Sequence, residues 1–214
     1  MQSQPIDFHP PATQADPILL PVTSTLFADR AERFASLAGQ HSLGDWLNFL
    51  ADLSRAQHEV LQGLPSLQLP DARTLEQART HAMPPLNASS LPRPAAWRLA
   101  LQQLVQRLQA TAPESGQAAL TALLAASESE LEALADMLLK GEPDMARAAE
   151  LPFVAAALQI VFTQLASQLE ASHLHKLDAP GVCPCCGSLP VASVVRLGSA
   201  INNLRYLHCS LCNT

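Results

Sequence analysis

Cys183-Pro184-Cys185-Cys186-Gly187 and, beyond the 22 residues that follow Cys186, Cys209-Ser210-Leu211-Cys212 decide how this chain is read. All five cysteines fall between positions 183 and 212, and the preceding 182 residues contain none. Two Cys-x-x-Cys pairs at this separation have the spacing of paired knuckles in a zinc ribbon or rubredoxin, each giving two thiolates to one tetrahedral ion. Two intervening residues allow a tight turn that aims both sulfurs inward, and Gly187 can take the positive φ such a turn ends on. Between the pairs, Pro190 to Leu197 is rich in β-branched residues and Asn203 to His208 reads as a returning strand, with Gly198 to Asn202 as the loop. The hairpin would carry Cys209 and Cys212 back beside Cys183 and Cys186. So short a module buries little apolar surface, and a structural ion would supply on the order of 10 kcal/mol toward its folding.

The ligand set predicted is Cys183, Cys186, Cys209 and Cys212, with Cys185 left free. Iron and zinc both accept four thiolates, and spacing does not choose between them. His208, next to Cys209, is a candidate for a supporting hydrogen bond. Arg196 and Arg205, the sole charged side chains from Gly181 to Thr214, are candidates to offset the net charge of the thiolate set. Structural disulfides would require an oxidising compartment, and Met1 to Pro10 has neither a basic region nor an apolar run. A redox Cys-x-x-Cys normally opens a helix, which Pro190 and its β-branched followers oppose.

Upstream, the net charge of −6 is unevenly spread: residues 1–180 hold 11 basic and 19 acidic groups. An acidic body disfavours phosphate-backbone binding, so no nucleic acid is expected as partner. Hydrophobic residues make up 48% of the chain and aromatics 4%, a balance set by alanine and leucine and typical of helices. Residues 1–22 are proline-rich and read as an extended arm, 23–176 as a helical domain, and 177–214 as the metal module. Predicted helices run from a Ser24 cap to Gly39, from about Ser42 to Gln62 with Leu43, Leu47, Leu50, Val60 and Leu61 toward the core, and briefly around Ala72 to His81. Others run from Pro94 through Leu108, from Gly116 to Ala126, and from a Ser127–Glu130 capping box to Lys140-Gly141. Leu151 to Leu169 is the most apolar segment. Gln159, Thr163 and Gln164 interrupt it, so it reads as the central helix of a bundle and not as a membrane insertion. The acidic side chains Glu128, Glu130 and Glu132 read as a solvated helix face. His173 and His175 read as helix-end histidines ahead of the linker 177–180, and no catalytic motif is present.

The run from Cys183 to Arg196 followed by Leu204-Arg-Tyr-Leu-His-Cys-Ser-Leu-Cys212 resembles the formate dehydrogenase accessory protein FdhE family. Leu26-Phe-Ala-Asp-Arg-Ala-Glu-Arg33 and Ser42-Leu-Gly-Asp-Trp-Leu47 resemble its N-terminal helices. The resemblance implies a cytoplasmic, non-enzymatic bacterial factor needed to produce active respiratory formate dehydrogenase. It also implies contact with that enzyme's catalytic subunit and rubredoxin-like modules in which iron is a native ion. Family members continue with further Cys-x-x-Cys motifs, so the resemblance implies that the module here is incomplete. Readings from other classes are a nucleic-acid-binding zinc ribbon, for which only Arg196 and Arg205 are at hand, and a thiol oxidoreductase acting through Cys185.

Overall fold

In the computed structural model, residues 16–142, 144–175, 177, 181–196 and 204–214 are described. Among the described residues, seven α-helices precede a two-stranded antiparallel hairpin: α1 Leu26–Ala38, α2 Gly44–Gly63, α3 Ala72–Thr80, α4 Ala96–Leu108, α5 Glu114–Ala125, α6 Glu128–Lys140, α7 Leu151–Ser167, β1 Pro190–Arg196 and β2 Leu204–Cys209. The mainly α architecture with a small β metal module is the one the sequence predicts. The first fifteen residues of the arm, most of the linker, the hairpin loop Gly198 to Asn202 and the Arg196 side chain lie outside the described residues.

The bundle is organised around α7, which packs against α4, α2 and α6. Twelve of its seventeen residues are buried, among them Phe153, Leu158, Ile160, Phe162 and Leu165. A helix apolar on nearly every side has no solvent face to present, so it takes the centre and other helices cover it. No described helix is long and apolar enough to cross a membrane. Trp97 on α4 is fully buried, and Phe49 on α2 meets Phe153 edge to face at 6.1 Å between centroids. Each such large apolar side chain contributes about 1.5–3 kcal/mol through burial.

Local signals set several boundaries. Ser127 accepts from the Glu130 amide while the Glu130 carboxylate accepts from the Ser127 amide, the reciprocal capping box that satisfies two orphan N–H groups of α6. Gly141 ends that helix at φ +73°. Asp71 caps α3 by accepting from the Thr74 amide at 2.7 Å.

Three readings need correction. Ser24 does not cap α1: the helix begins at Leu26 after Thr25, without a side-chain cap, and the Asp29 amide bonds the Thr25 carbonyl. Leu43 is 58% exposed because it precedes α2, which starts at Gly44; Val60 and Leu61 are buried as expected, and Phe49, Leu53, Ala56 and Gln57 join them on the inward face. Glu132 is no solvated carboxylate: Arg93, Arg98 and the Trp97 indole N–H all donate to it, joining α6 to α4 and the segment before it. Burial alone would raise its pKa, but those donors outweigh it and hold the carboxyl below its ordinary value.

Candidate metal centre

The two knuckles are built on one pattern. In the first, the Cys183 amide donates to the Ser188 carbonyl at 2.8 Å and the Gly187 amide donates back to the Cys183 carbonyl at 2.9 Å. In the second, the Cys209 amide donates to the Thr214 carbonyl at 3.0 Å and the Asn213 amide to the Cys209 carbonyl at 3.1 Å. Gly187 and Asn213 occupy the same offset from their leading cysteine, and both are left-handed, at φ +77° and +60°. Glycine and asparagine are the residues that take this conformation at least cost, which is why each turn can reverse within so few residues.

Antiparallel pairing of β1 and β2 brings the turns together, with Val194 opposite Tyr206, Ala192 opposite His208 and an irregularity at Pro190/Ala192 next to Cys209. The sulfurs of Cys183, Cys186, Cys209 and Cys212 lie within 4.8 Å of one another, and all four residues are buried. Cys183 and Cys212 approach to 3.4 Å and Cys186 and Cys209 to 3.5 Å, too far for disulfides. A tetrahedron with metal–sulfur bonds of about 2.3 Å has sulfur–sulfur edges of about 3.8 Å, so this donor set fits one divalent ion.

The electrostatics favour a cation. Cys185 above all, then Cys186, Cys209 and Cys212, donate hydrogen bonds that hold the Cys183 thiol far below its ordinary range. The same sharing pushes Cys186 and Cys212 up. Cys209, like Cys183, is lowered, and joint ionisation of all four sulfurs at this separation is opposed until a positive charge arrives.

Cys185 is fully buried but stands outside the four-sulfur group, and sharing with Cys183 pushes its thiol up to about 12. Its carbonyl accepts from the Leu86 amide at 2.8 Å, and the Cys186 carbonyl accepts from Ala88 at 2.9 Å. The proline-bounded loop before α4 thereby grips the first knuckle. His208 is half-buried, and burial first, then Arg30, lowers its pKa. His173 accepts from the Glu170 amide through Nδ1, and neither it nor His175 joins a group of potential ligands among the described residues. Arg205 is exposed on β2 and so offsets no buried charge.

The helical body meets the second knuckle through residues that no motif announces. Asn213 Nδ2 donates to Thr163 Oγ1 on α7 at 2.8 Å, and Asn213 Oδ1 accepts from Arg30 on α1 at 2.6 Å. Gln159 Nε2 donates to the Ser210 carbonyl at 2.6 Å, and Gln57 Nε2 on α2 donates to Gln159 Oε1 at 2.8 Å. Two of the three polar interruptions of α7, Gln159 and Thr163, are points where the cysteine module docks, whereas Gln164 accepts from the Leu67 amide at 3.1 Å. Of these residues only Asn213 carries a sequence signal, its match in offset to Gly187. A groove of about 570 Å3 between residues 17–22, the start of α1 and the hairpin reaches Cys183 and Cys209, and the Tyr206 hydroxyl donates across it to the Asp16 carbonyl at 3.0 Å.

Comparison with known proteins follows this division of the chain. The family profile described as FdhE, N-terminal, matches residues 15–179, and that of the FdhE central domain matches residues 182–214. A protein FdhE homolog of Serratia proteamaculans is 39% identical over 92% of this chain and 64% of its own length. The homolog of Pseudomonas aeruginosa is 38% identical over 94% of this chain and 65% of its length. The crystal structure of the FdhE protein from Pseudomonas aeruginosa superposes with a TM-score of 0.79 at 38% identity, covering 91% of this chain and 67% of that one. The chain thus spans a little under two thirds of the length of those curated relatives. Profile, sequence and fold agree over both the helical body and the cysteine module, and the chain belongs to the FdhE family.

Proposed function

We propose that this protein is a non-enzymatic accessory factor in the production of active formate dehydrogenase. Its helical body docks the catalytic subunit of that enzyme, and its cysteine module holds one iron or zinc ion through Cys183, Cys186, Cys209 and Cys212. The observation that carries the reading is the convergence of four buried sulfurs within 4.8 Å on a scaffold of FdhE type. The ion, when bound, would supply a rigid positive centre that fixes both knuckles against each other. The chain's own contribution is to orient the thiolates through the paired turns and to shield them beneath α1 and α7. A cytoplasmic site of action follows from the same resemblance.

The test is capture of the formate dehydrogenase catalytic subunit by wild type and by a Cys183→Ser, Cys186→Ser variant, together with rescue of formate oxidation in cells lacking the factor. Capture and rescue by wild type, with loss of both in the variant, are the expected results. Full rescue by the variant would remove the ion from the function, and no capture by wild type would remove the partner.

A further inference from the structure

We propose that Arg30, held in place by Asn213, is the counter-charge of the metal centre and sets the affinity of the four thiolates for a divalent ion. This rests on reading the four cysteines as one metal site. Arg30, Arg93, Arg98 and Arg147 are the described arginines that are part-buried. Arg93, Arg98 and Arg147 each reach a carboxylate: Glu132 and Asp136 for Arg93, Glu128 and Glu132 for Arg98, and Glu150 for Arg147. Arg30 reaches none among the described residues. It donates instead to the amide oxygen of Asn213, the residue after Cys212, and its guanidinium lies 5.1 Å from the centroid of the Phe27 ring.

A part-buried cation without an anion is costly, and burial alone lowers the pKa of Arg30. Four thiolates around a divalent ion carry a net charge of −2, and the second knuckle that contributes Cys209 and Cys212 is the element Arg30 grips. The chain from Arg30 through Asn213 to Thr163 therefore does two things. It fixes the left-handed turn that aims Cys209 and Cys212, and it places a permanent positive charge beside the turn.

The experiment titrates zinc into the apo form of the 214-residue chain against a chromophoric chelator, with cobalt as a spectroscopic check on sulfur coordination. Wild type is compared with Arg30→Met, Arg30→Lys and Asn213→Gly. Loss of such an outer partner typically weakens metal binding by about 10- to 100-fold, and Arg30→Met is expected in that range, with Arg30→Lys recovering part of the loss. Asn213→Gly keeps the left-handed turn but frees the guanidinium, so it is expected to weaken binding as well. Affinity of Arg30→Met within twofold of wild type would overturn the proposal. Arg30→Lys as weak as Arg30→Met would overturn the role of charge. If Arg30→Met loses its helical signal, Asn213→Gly decides: weaker binding supports the proposal and unchanged binding overturns it. Failure of wild type to bind zinc would overturn the metal reading, and this inference with it.

Discussion

Thr163→Val tests whether the docking of the second knuckle stabilises the whole molecule. Thr163 is fully buried, and its hydroxyl oxygen accepts from Asn213 Nδ2 at 2.8 Å. Valine keeps the shape and removes the acceptor. Asn213 is only 6% exposed, so its amide hydrogen would be left without a partner away from water. An orphaned buried donor costs about 1–3 kcal/mol. At roughly 2–4 °C per kcal/mol for a chain of this size, the midpoint should fall by roughly 2–12 °C. The assays are thermal unfolding for the midpoint and urea unfolding for the free energy, both followed by circular dichroism at a fixed free-zinc concentration, because ion binding to the folded state adds its own stabilisation. A double-mutant cycle with Asn213→Gly isolates the contact. Glycine removes the amide and also relieves the left-handed backbone, but that relief is common to both arms and cancels. In the Asn213→Gly background, Thr163→Val should cost under about 0.5 kcal/mol, giving a coupling of about 0.5 kcal/mol or more. Equal costs in both backgrounds would refute the docking account.

Further predictions concern other parts of the molecule. Glu132→Gln should lower stability at neutral pH and flatten its acid dependence. The folded carboxyl titrates below its ordinary value of 4.5, so its contribution is present above that value and is lost as the pH falls below it. A thermal-melting series from neutral to acid pH checks this, and parallel curves for variant and wild type would contradict it. Gly187→Ala should destabilise by about 1–2 kcal/mol and loosen the first knuckle. The position needs φ +77°, and the added Cβ would stand 3.2 Å from Pro84 Cγ. Zinc titration combined with urea unfolding would reveal both effects. Cys185→Ala should leave one ion per chain, measured by elemental analysis, because its sulfur lies outside the four-sulfur group.

What can be read from the sequence is local chemistry. The capping box at Ser127 and Glu130, the glycine stop at 141, the apolar run of α7 and the paired cysteines each depend on residues a few positions apart, and each stands where the spacing places it. The contacts that join the metal module to the body are long-range. Arg30 and Asn213 are 183 positions apart, and Gln57 and Gln159 are 102 apart. Periodicity assigns such polar residues to a surface or to a break in an apolar helix, because the partner that makes their burial tolerable is contributed by a distant element. The role of Glu132 is hidden for the same reason: its three donors lie 34 to 39 positions away. Asn213 is the exception, since laying Cys209 to Asn213 over Cys183 to Gly187 identifies it as the second left-handed corner.

X-ray absorption at the metal edge of protein purified without oxygen tests the central claim most directly, because it reads the donor atoms whichever ion is present. A first shell of four sulfurs at about 2.3 Å, lost in the Cys183→Ser, Cys212→Ser variant, is the predicted result. A shell dominated by nitrogen or oxygen, or one that survives the loss of both cysteines, would contradict it.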